Sequence, residues 1–258
     1  MTMKKMLRLS AFFLLPLAVS LELVPLSGRL GQTTASANSS GSVVFQPNGS
    51  PRTTRGGASR GICSIASSES SQNKKPAIAL IPNTDAELTT QAHPTIFLYI
   101  PDGTIVSAEL SLWDRNQNGL YQTTVSLSGK SGIVGIELPD AAPSLEVGNR
   151  YKWSLALICD RTERSRDLVV EGWMQRTQLS STLEKQIGTL EPLQRARLYA
   201  QNRIWYETLA TLAQLRRSRP DDSRIATEWQ SLLQSVGLQD VAQAPVINCC
   251  QSENQPQP

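Results

Sequence analysis

The sequence predicts a mainly β protein with an α-helical end: a seven-stranded β-sandwich followed by a C-terminal helical unit. Three observations carry that expectation. Between Pro76 and Arg176 short β-prone runs are separated by turn residues. Several alternate with period two, as in Tyr121, Thr123, Val125 and Leu127, or Tyr151, Trp153, Leu155 and Leu157, which buries one face of each. Beyond Ser180 the apolar spacing lengthens to three and four residues, the mark of helical faces that need a partner.

The chain has 258 residues, 40% hydrophobic and 18% charged, enough for one or two packed domains. It opens with Lys4, Lys5 and Arg8, then an apolar run from Leu9 to Leu21, then small residues at Ala35, Ser36 and Ala37, which is the order of a secretory signal peptide. The run is short, contains Pro16 and is closed by Glu22 and Pro25, so it falls short of the roughly 30 Å of hydrocarbon in a bilayer. Cleavage after Ala37 is expected, placing the mature protein in the periplasm or outside the cell with no membrane span. The competing reading is an uncleaved N-terminal anchor, since the stretch from Glu22 to Ala37 is long for a cleavage region.

Removing residues 1–37 takes Lys4, Lys5, Arg8 and Arg29 with Glu22, so the formal +3 becomes zero, 21 basic against 21 acidic residues. Recognition of a phosphate backbone needs clustered excess cation, and no nucleic-acid partner is expected. The densest remaining cluster, Arg216, Arg217 and Arg219, falls where a helix should end, and cations there meet the negative end of the helix dipole.

Residues 38–75 hold ten Ser and five Gly, too little apolar surface to repay the entropy of ordering by themselves, and read as a mobile Gly/Ser-rich arm. Within it Val43 to Phe45 has the composition of a short added strand. The spacing of Gly56, Gly57 and Gly61 does not match a dinucleotide-binding fingerprint. Residues 76–178 form the β-domain, with strands expected near Ala77–Ile81, Thr95–Ile100, Ile105–Trp113, Leu120–Leu127, Gly132–Leu138, Tyr151–Cys159 and Leu168–Gln175.

The stretch Leu145-Glu146-Val147-Gly148-Asn149-Arg150-Tyr151 resembles the tyrosine corner of immunoglobulin-like and fibronectin type III domains, with Val147 where Pro is frequent. The resemblance implies that the Tyr151 hydroxyl bonds back to upstream backbone, that Tyr151–Cys159 is strand F and that Leu168–Gln175 is strand G. Trp153 then falls on the core face.

Residues 179–237 form the helical region. Leu193, Ala196, Ala200 and Ile204, then Leu209, Leu212 and Ala213, trace two helical faces; Pro220 ends the second, and Asp221, Asp222 or Ser223 caps a third that stops before Gly237. Ala196, Tyr199, Leu212 and Pro220 resemble one tetratricopeptide-type helix pair, with Thr208 in the place of the usual Ala. A solenoid needs about three such repeats, so packing against the β-domain is favoured over a peptide groove. Residues 238–258 are Gln-rich and read as a disordered tail.

Export places four cysteines where disulfides persist, and four permit three pairings. The pairing expected is Cys63 with Cys159, which ties the arm to strand F. Closing a loop of about 100 residues in this way contributes on the order of 4–5 kcal/mol in the chain-entropy model. Cys249 and Cys250 are adjacent, and their state is open between a vicinal bridge, an intermolecular link and free thiols.

An inventory of reactive groups names no catalytic, cofactor-binding or metal-ligating residue. The lone His93 precedes Pro94 and reads as structural. Gly129-Lys130-Ser131 imitates the end of a phosphate loop, but Thr124 stands where the loop's first glycine belongs, and the segment reads as a hairpin turn. Asp114-Arg115-Asn116-Gln117-Asn118-Gly119 imitates the opening of a calcium loop, yet Val125 holds the closing position that a bidentate Glu requires, so it reads as an inter-strand loop. Asp160, Glu163, Asp167 and Glu171 interleave with Arg161, Arg164 and Arg166 as solvated ion pairs. Trp113, Trp153 and Trp173 make a sugar-stacking platform only if they face solvent together. Burial of Trp153 and at least one other, with Trp205 and Trp229 docking helices, is the ordinary alternative.

Several segments together are similar to a family of exported cyanobacterial proteins described as domain of unknown function 928. They are Gly56-Gly57-Ala58-Ser59-Arg60-Gly61-Ile62-Cys63, Pro94-Thr95 through Tyr99-Ile100-Pro101, Tyr151-Lys152-Trp153 through Cys159-Asp160, Glu171-Gly172-Trp173 with Gln175-Arg176, Tyr199-Ala200, and Trp205-Tyr206-Glu207-Thr208-Leu209. In the last segment the family usually carries Asp and Ala where this chain has Glu207 and Thr208. The resemblance implies a periplasmic or envelope-facing protein and transfers no activity. The functional expectation is an exported, non-enzymatic interaction module with protein partners in the bacterial envelope. Its alternatives are an envelope glycan-binding module and a carboxylate-based hydrolase.

Overall fold

The computed structural model describes residues 41–47, 76–82, 86–101 and 105–247. Among them nine strands make two mixed sheets, and four helices follow, a mainly β chain with an α end. The strands are β1 (Ile78–Ala79), β2 (Glu87–Thr89), β3 (Thr95–Ile100), β4 (Ser107–Asp114), β5 (Gly119–Ser126), β6 (Gly132–Glu137), β7 (Arg150–Leu157), β8 (Leu168–Arg176) and β9 (Val246–Ile247). One sheet runs β1-β3-β6-β9 and the other β2-β8-β7-β4-β5. The two parallel pairings are β2 with β8 and β6 with β9.

All seven strands expected from the sequence are present, and β2 and β9 are additional. Each is only two or three residues long, too short to show a period. Strand β7 shows the expected alternation: Tyr151, Trp153, Leu155 and Leu157 are buried, and the residues between them are partly exposed. Strand β3 does not alternate, because Ile96, Phe97 and Leu98 are all buried. Thr95 and Phe97 face a cleft under the helices, so this strand is covered on both sides. Opposite Trp153 on β8 lies Gly172. A Cβ at Gly172 would stand 2.6 Å from Trp153 Cζ2, so the absence of a side chain makes room for the indole.

The helices are α1 (Ser181–Thr189), α2 (Pro192–Gln201), α3 (Trp205–Ser218) and α4 (Ser223–Ser235), one more than the pair plus one expected. The Ser180 hydroxyl accepts the Leu183 N–H at the start of α1, a cap in a segment with few apolar residues to betray it. Asp222 caps α4 by accepting from the N–H groups of Arg224 and Ile225. At its other end Gly237, with φ +79°, allows Leu238 N–H to reach the Leu233 carbonyl at 2.8 Å and Gly237 N–H the Gln234 carbonyl at 3.2 Å. These are the two bonds of a Schellman stop, and the left-handed residue between them favours glycine.

One hydrophobic core runs through both sheets and through α2, α3 and α4. Its three fully buried tryptophans each find an acceptor: Trp153 Nε1 donates to the Tyr206 hydroxyl at 2.9 Å, Trp205 to the Leu80 carbonyl at 2.9 Å and Trp229 to the Ala242 carbonyl at 3.1 Å. The indoles thereby tie strand β7 and the β1 segment to α3, and α4 to the chain that follows it.

Two segments read from the sequence as loose are packed where they are described. Val43 and Phe45, in the expected arm, are buried, and Phe45 meets Trp205 edge-on at 4.9 Å. The Val43 N–H donates to Glu228, which also accepts from the Arg197 guanidinium, and the Phe45 N–H donates to Ser235 Oγ at 3.0 Å. In the expected tail, Val241 and Ala242 are buried, and Val246 and Ile247 pair with Ile133 and Val134. Val43 to Phe45, expected as a short added strand, takes no regular secondary structure, and composition missed the packing of both segments because each is stabilised by the body it docks on rather than by its own apolar content. The Gly129-Lys130-Ser131 turn is not a hairpin: β5 and β6 lie in different sheets, and the turn crosses between them. Residues 1–37 and Cys63, Cys249 and Cys250 lie outside the described residues. Among the described residues no helix is long and apolar enough to cross a membrane.

Candidate functional site

Helix α3 begins with five buried residues in succession, Trp205, Tyr206, Glu207, Thr208 and Leu209. Four of them suit a helix start enclosed on all sides; the fifth is a carboxylate. Glu207 lies in the first turn, where the positive end of the helix dipole favours an anion. Its Oε1 accepts from Thr89 Oγ1 at 2.7 Å, Thr90 N–H at 2.9 Å, Thr90 Oγ1 at 3.1 Å and Gln91 N–H at 3.2 Å. The end of strand β2 is thus folded around one carboxylate oxygen. The other, Oε2, is buried and has no hydrogen-bond partner.

Glu207 lines a cleft of about 310 Å³ between strand β3 and helices α2 and α3. From the β side come Gln91, Thr95 and Phe97; from α2, Arg195 and Tyr199; from α3, Glu207, Ala210, Thr211, Gln214 and Arg217. Arg195 Nε is a second buried polar atom without a partner. Tyr199, half-buried in the same lining, feels both charges. Burial and then the Glu207 carboxylate raise its phenol above the ordinary value, and Arg195 pulls the other way. The cleft therefore offers a fixed acceptor, guanidinium donors and the rings of Phe97 and Tyr199. Leaving a buried acceptor without a donor costs on the order of 1–3 kcal/mol, which a donor brought by a ligand recovers.

A different surface appears on the outer face of the five-stranded sheet. Register places Trp113, Lys152 and Trp173 in one cross-strand row, with Trp113 opposite Lys152 and Lys152 opposite Trp173. Lys152 Nζ stands 6.0 Å from the Trp113 ring centre and Arg150 Cζ 5.6 Å from that of Trp173. Lys152 also pairs with Glu171 at 2.8 Å.

Of the residues singled out in the sequence, Tyr151 is buried, and its hydroxyl accepts the Glu146 N–H at 2.9 Å, the upstream backbone bond implied by the tyrosine-corner resemblance. Trp153 is fully buried, so the three-tryptophan platform reduces to Trp113 and Trp173. Cys159 follows the end of β7 and is not a free thiol, while Cys63 lies outside the described residues. His93 Nε2 is 3.1 Å from the Ala142 carbonyl. Asp114 spends its carboxylate inside its own loop, accepting from Asn116 N–H at 2.7 Å, Asn118 N–H at 2.9 Å and Asn118 Nδ2 at 2.7 Å, which lowers its pKa. The Arg164 guanidinium bridges Asp167 and Glu109, and Asp167 is buried, so this part of the charged connection is structural rather than solvated. Among the described residues no group of three or more His, Cys, Asp or Glu gathers in a metal-holding arrangement.

The cleft itself was not assigned from the sequence. Its one local signal is a carboxylate set among Trp205, Tyr206 and Leu209, and the β-side residues that complete it lie more than a hundred positions away, Gln91 being 116 from Glu207.

The chain matches no curated protein. Among solved structures it is similar to Bifidobacterium dentium beta-glucuronidase complexed with coumarin-3-O-glucuronide, at 9% identity over 67% of this chain and 36% of that one. It thus spans about a third of that chain's length, and the TM-score of 0.28 supports no argument about fold or activity. Residues 55–246 match the model of a family described as Domain of Unknown Function (DUF928), and with most of its length matched the chain belongs to that family.

Proposed function

We propose that the protein is an exported, non-enzymatic interaction module of the bacterial cell envelope that engages its partner at the cleft between strand β3 and helices α2 and α3. The observation that carries this reading is Glu207, whose one oxygen is held by four donors while the other is buried without one. A carboxylate oriented before the partner arrives lowers the ordering cost of binding. The hydrolase alternative requires two carboxyl groups facing each other across the cleft, and the lining contributes Glu207 together with Arg195 and Arg217.

The strand order supports an immunoglobulin-like sandwich for the β-domain. With β3, β4, β5, β6, β7 and β8 taken as strands B, C, C′, E, F and G, β1 is A beside B, and β2 runs parallel to G. Buried Ala196 and Leu212 support a tetratricopeptide-type pairing of α2 with α3. Export rests on the order of basic, apolar and small residues through Ala37. Cys63 is the partner that this account gives Cys159.

A photo-crosslinking side chain at Gln214, on the cleft rim, is expected to capture an envelope component that the same group at Gln122, on the outer sheet face, does not. Equal capture from both positions, or none from either, overturns the cleft reading. An intact N-terminus on protein recovered from the cytosol overturns export.

The Trp113–Lys152–Trp173 row favours glycan binding as a second reading. The two indoles stand two strand spacings apart, about 9–10 Å, on an open sheet face. Quenching of tryptophan fluorescence by envelope polysaccharide, abolished in Trp173→Ala, supports it; an unchanged spectrum removes it.

A further inference from the structure

Resting on the cleft reading above, we propose that the cleft is a binding site for a small zwitterion, an α-amino acid, whose ammonium reaches Glu207 Oε2 and whose carboxylate is taken by Arg195 and Arg217. Two residues that line one cavity each carry an orphaned polar atom, and the two atoms are of opposite kind. Glu207 Oε2 is a buried acceptor without a donor, and Arg195 Nε is a buried donor without an acceptor. Leaving either unmet is unfavourable, and a single ligand satisfies both only if it carries a donor and an acceptor together. Charge gives the same assignment. A carboxylate in a partly enclosed cleft matches an ammonium, and guanidinium matches a carboxylate by its paired donors.

The remaining walls suit the rest of such a molecule. Phe97 and Ala210 offer apolar surface for an aliphatic side chain, and a cleft of about 310 Å³ is at the small end of ligand pockets, suited to one amino acid. The Glu207 carboxylate needs no reorganisation on binding, because its Oε1 is already fixed by Thr89, Thr90 and Gln91. Arg217 stands exposed in the last turn of α3 and lines the same cleft.

The test is calorimetric titration of the full chain with L-leucine, leucine amide, which lacks the carboxylate, N-acetylleucine, which lacks the ammonium, and leucyl-leucine. Leucine is expected to bind saturably, and each single-charge analogue to bind at least about tenfold more weakly. Glu207→Gln should weaken leucine and leucine amide while leaving N-acetylleucine unchanged. Arg217→Gln, at an exposed position that leaves the fold intact, should weaken leucine and N-acetylleucine while leaving leucine amide unchanged. Leucyl-leucine binding as tightly as leucine replaces the free amino acid by a peptide and overturns this assignment. No saturable heat with leucine at about 10 mM, or equal affinity for leucine and both analogues, also overturns it. If that happens while Gln214 still captures a partner, the ligand class fails and the cleft reading stands; if capture fails too, both fall.

Discussion

Trp153 on strand β7 donates its indole N–H to the Tyr206 hydroxyl on helix α3 at 2.9 Å, with both side chains buried. The same hydroxyl donates to the Trp173 carbonyl on β8 at 3.5 Å, so the two bonds join the middle of the five-stranded sheet to the helix that carries Glu207. Tyr206→Phe leaves the indole N–H without its acceptor, and the expected loss is about 1–3 kcal/mol in urea unfolding. Combined with Trp153→Phe, the two costs should add to less than their sum, because the second substitution removes a donor already stranded.

Burial also holds the Tyr206 phenol far above its ordinary pKa, the Trp153 bond offsetting only part of the shift. The unfolded chain releases this proton near pH 10 and the folded chain does not, so the unfolded state binds fewer protons there. Stability is therefore complete below that pH and falls as pH rises above it. Unfolding midpoints measured from pH 8 to 11 should decline less steeply in Tyr206→Phe than in the unchanged protein.

Glu207→Ala removes the acceptor shared by the Thr89 and Thr90 hydroxyls and by the Thr90 and Gln91 N–H groups. Thr89 is fully buried, while Gln91 is open to water, so part of the loss is recovered by solvent. The expected destabilisation is about 2 kcal/mol. Hydrogen exchange at the Thr90 and Gln91 amides should quicken beyond what global stability alone requires.

Gly172→Ala sets a methyl group 2.6 Å from Trp153 Cζ2 and 2.7 Å from Ile81 Cδ1. A rigid indole on a central strand has no room to yield. Overpacking of this kind costs about 1–3 kcal/mol, read as a shift of the denaturation midpoint at unchanged slope.

Phe45→Ala tests whether the segment 41–47 belongs to the folded body. Phe45 is 2% exposed and meets Trp205 edge-on, so truncation should cost about 3–5 kcal/mol. A loss below about 0.5 kcal/mol, the usual range for surface positions, contradicts the docking described above.

The parts of this fold that were legible in the sequence are those whose signal is local. Strand β7 shows its period in four successive inward residues, and α4 is bracketed by a cap at Asp222 and a left-handed glycine at Gly237. Strands β2 and β9 are held by parallel pairing with distant partners, and two or three residues cannot display a pattern. Val43 and Phe45 are a short apolar run in a Ser- and Gly-rich stretch that composition reads as mobile, and tertiary contacts with Glu228, Ser235 and Trp205 prevail over the composition of the stretch. The cleft was hidden for the same reason. Glu207 reads as a surface carboxylate in a helix until Thr89, Thr90 and Gln91 are folded onto it from 116 to 118 positions away.

At the centre stands the proposal that the Glu207 cleft takes a free α-amino acid. An amide-resolved NMR titration of the full chain with L-leucine tests that most directly. The predicted result is saturable shifts at Gln91, Thr95, Thr211 and Gln214, lost in Glu207→Gln. Shifts grouped around Lys152 and Trp173 on the outer sheet face, or none at any concentration, contradict it.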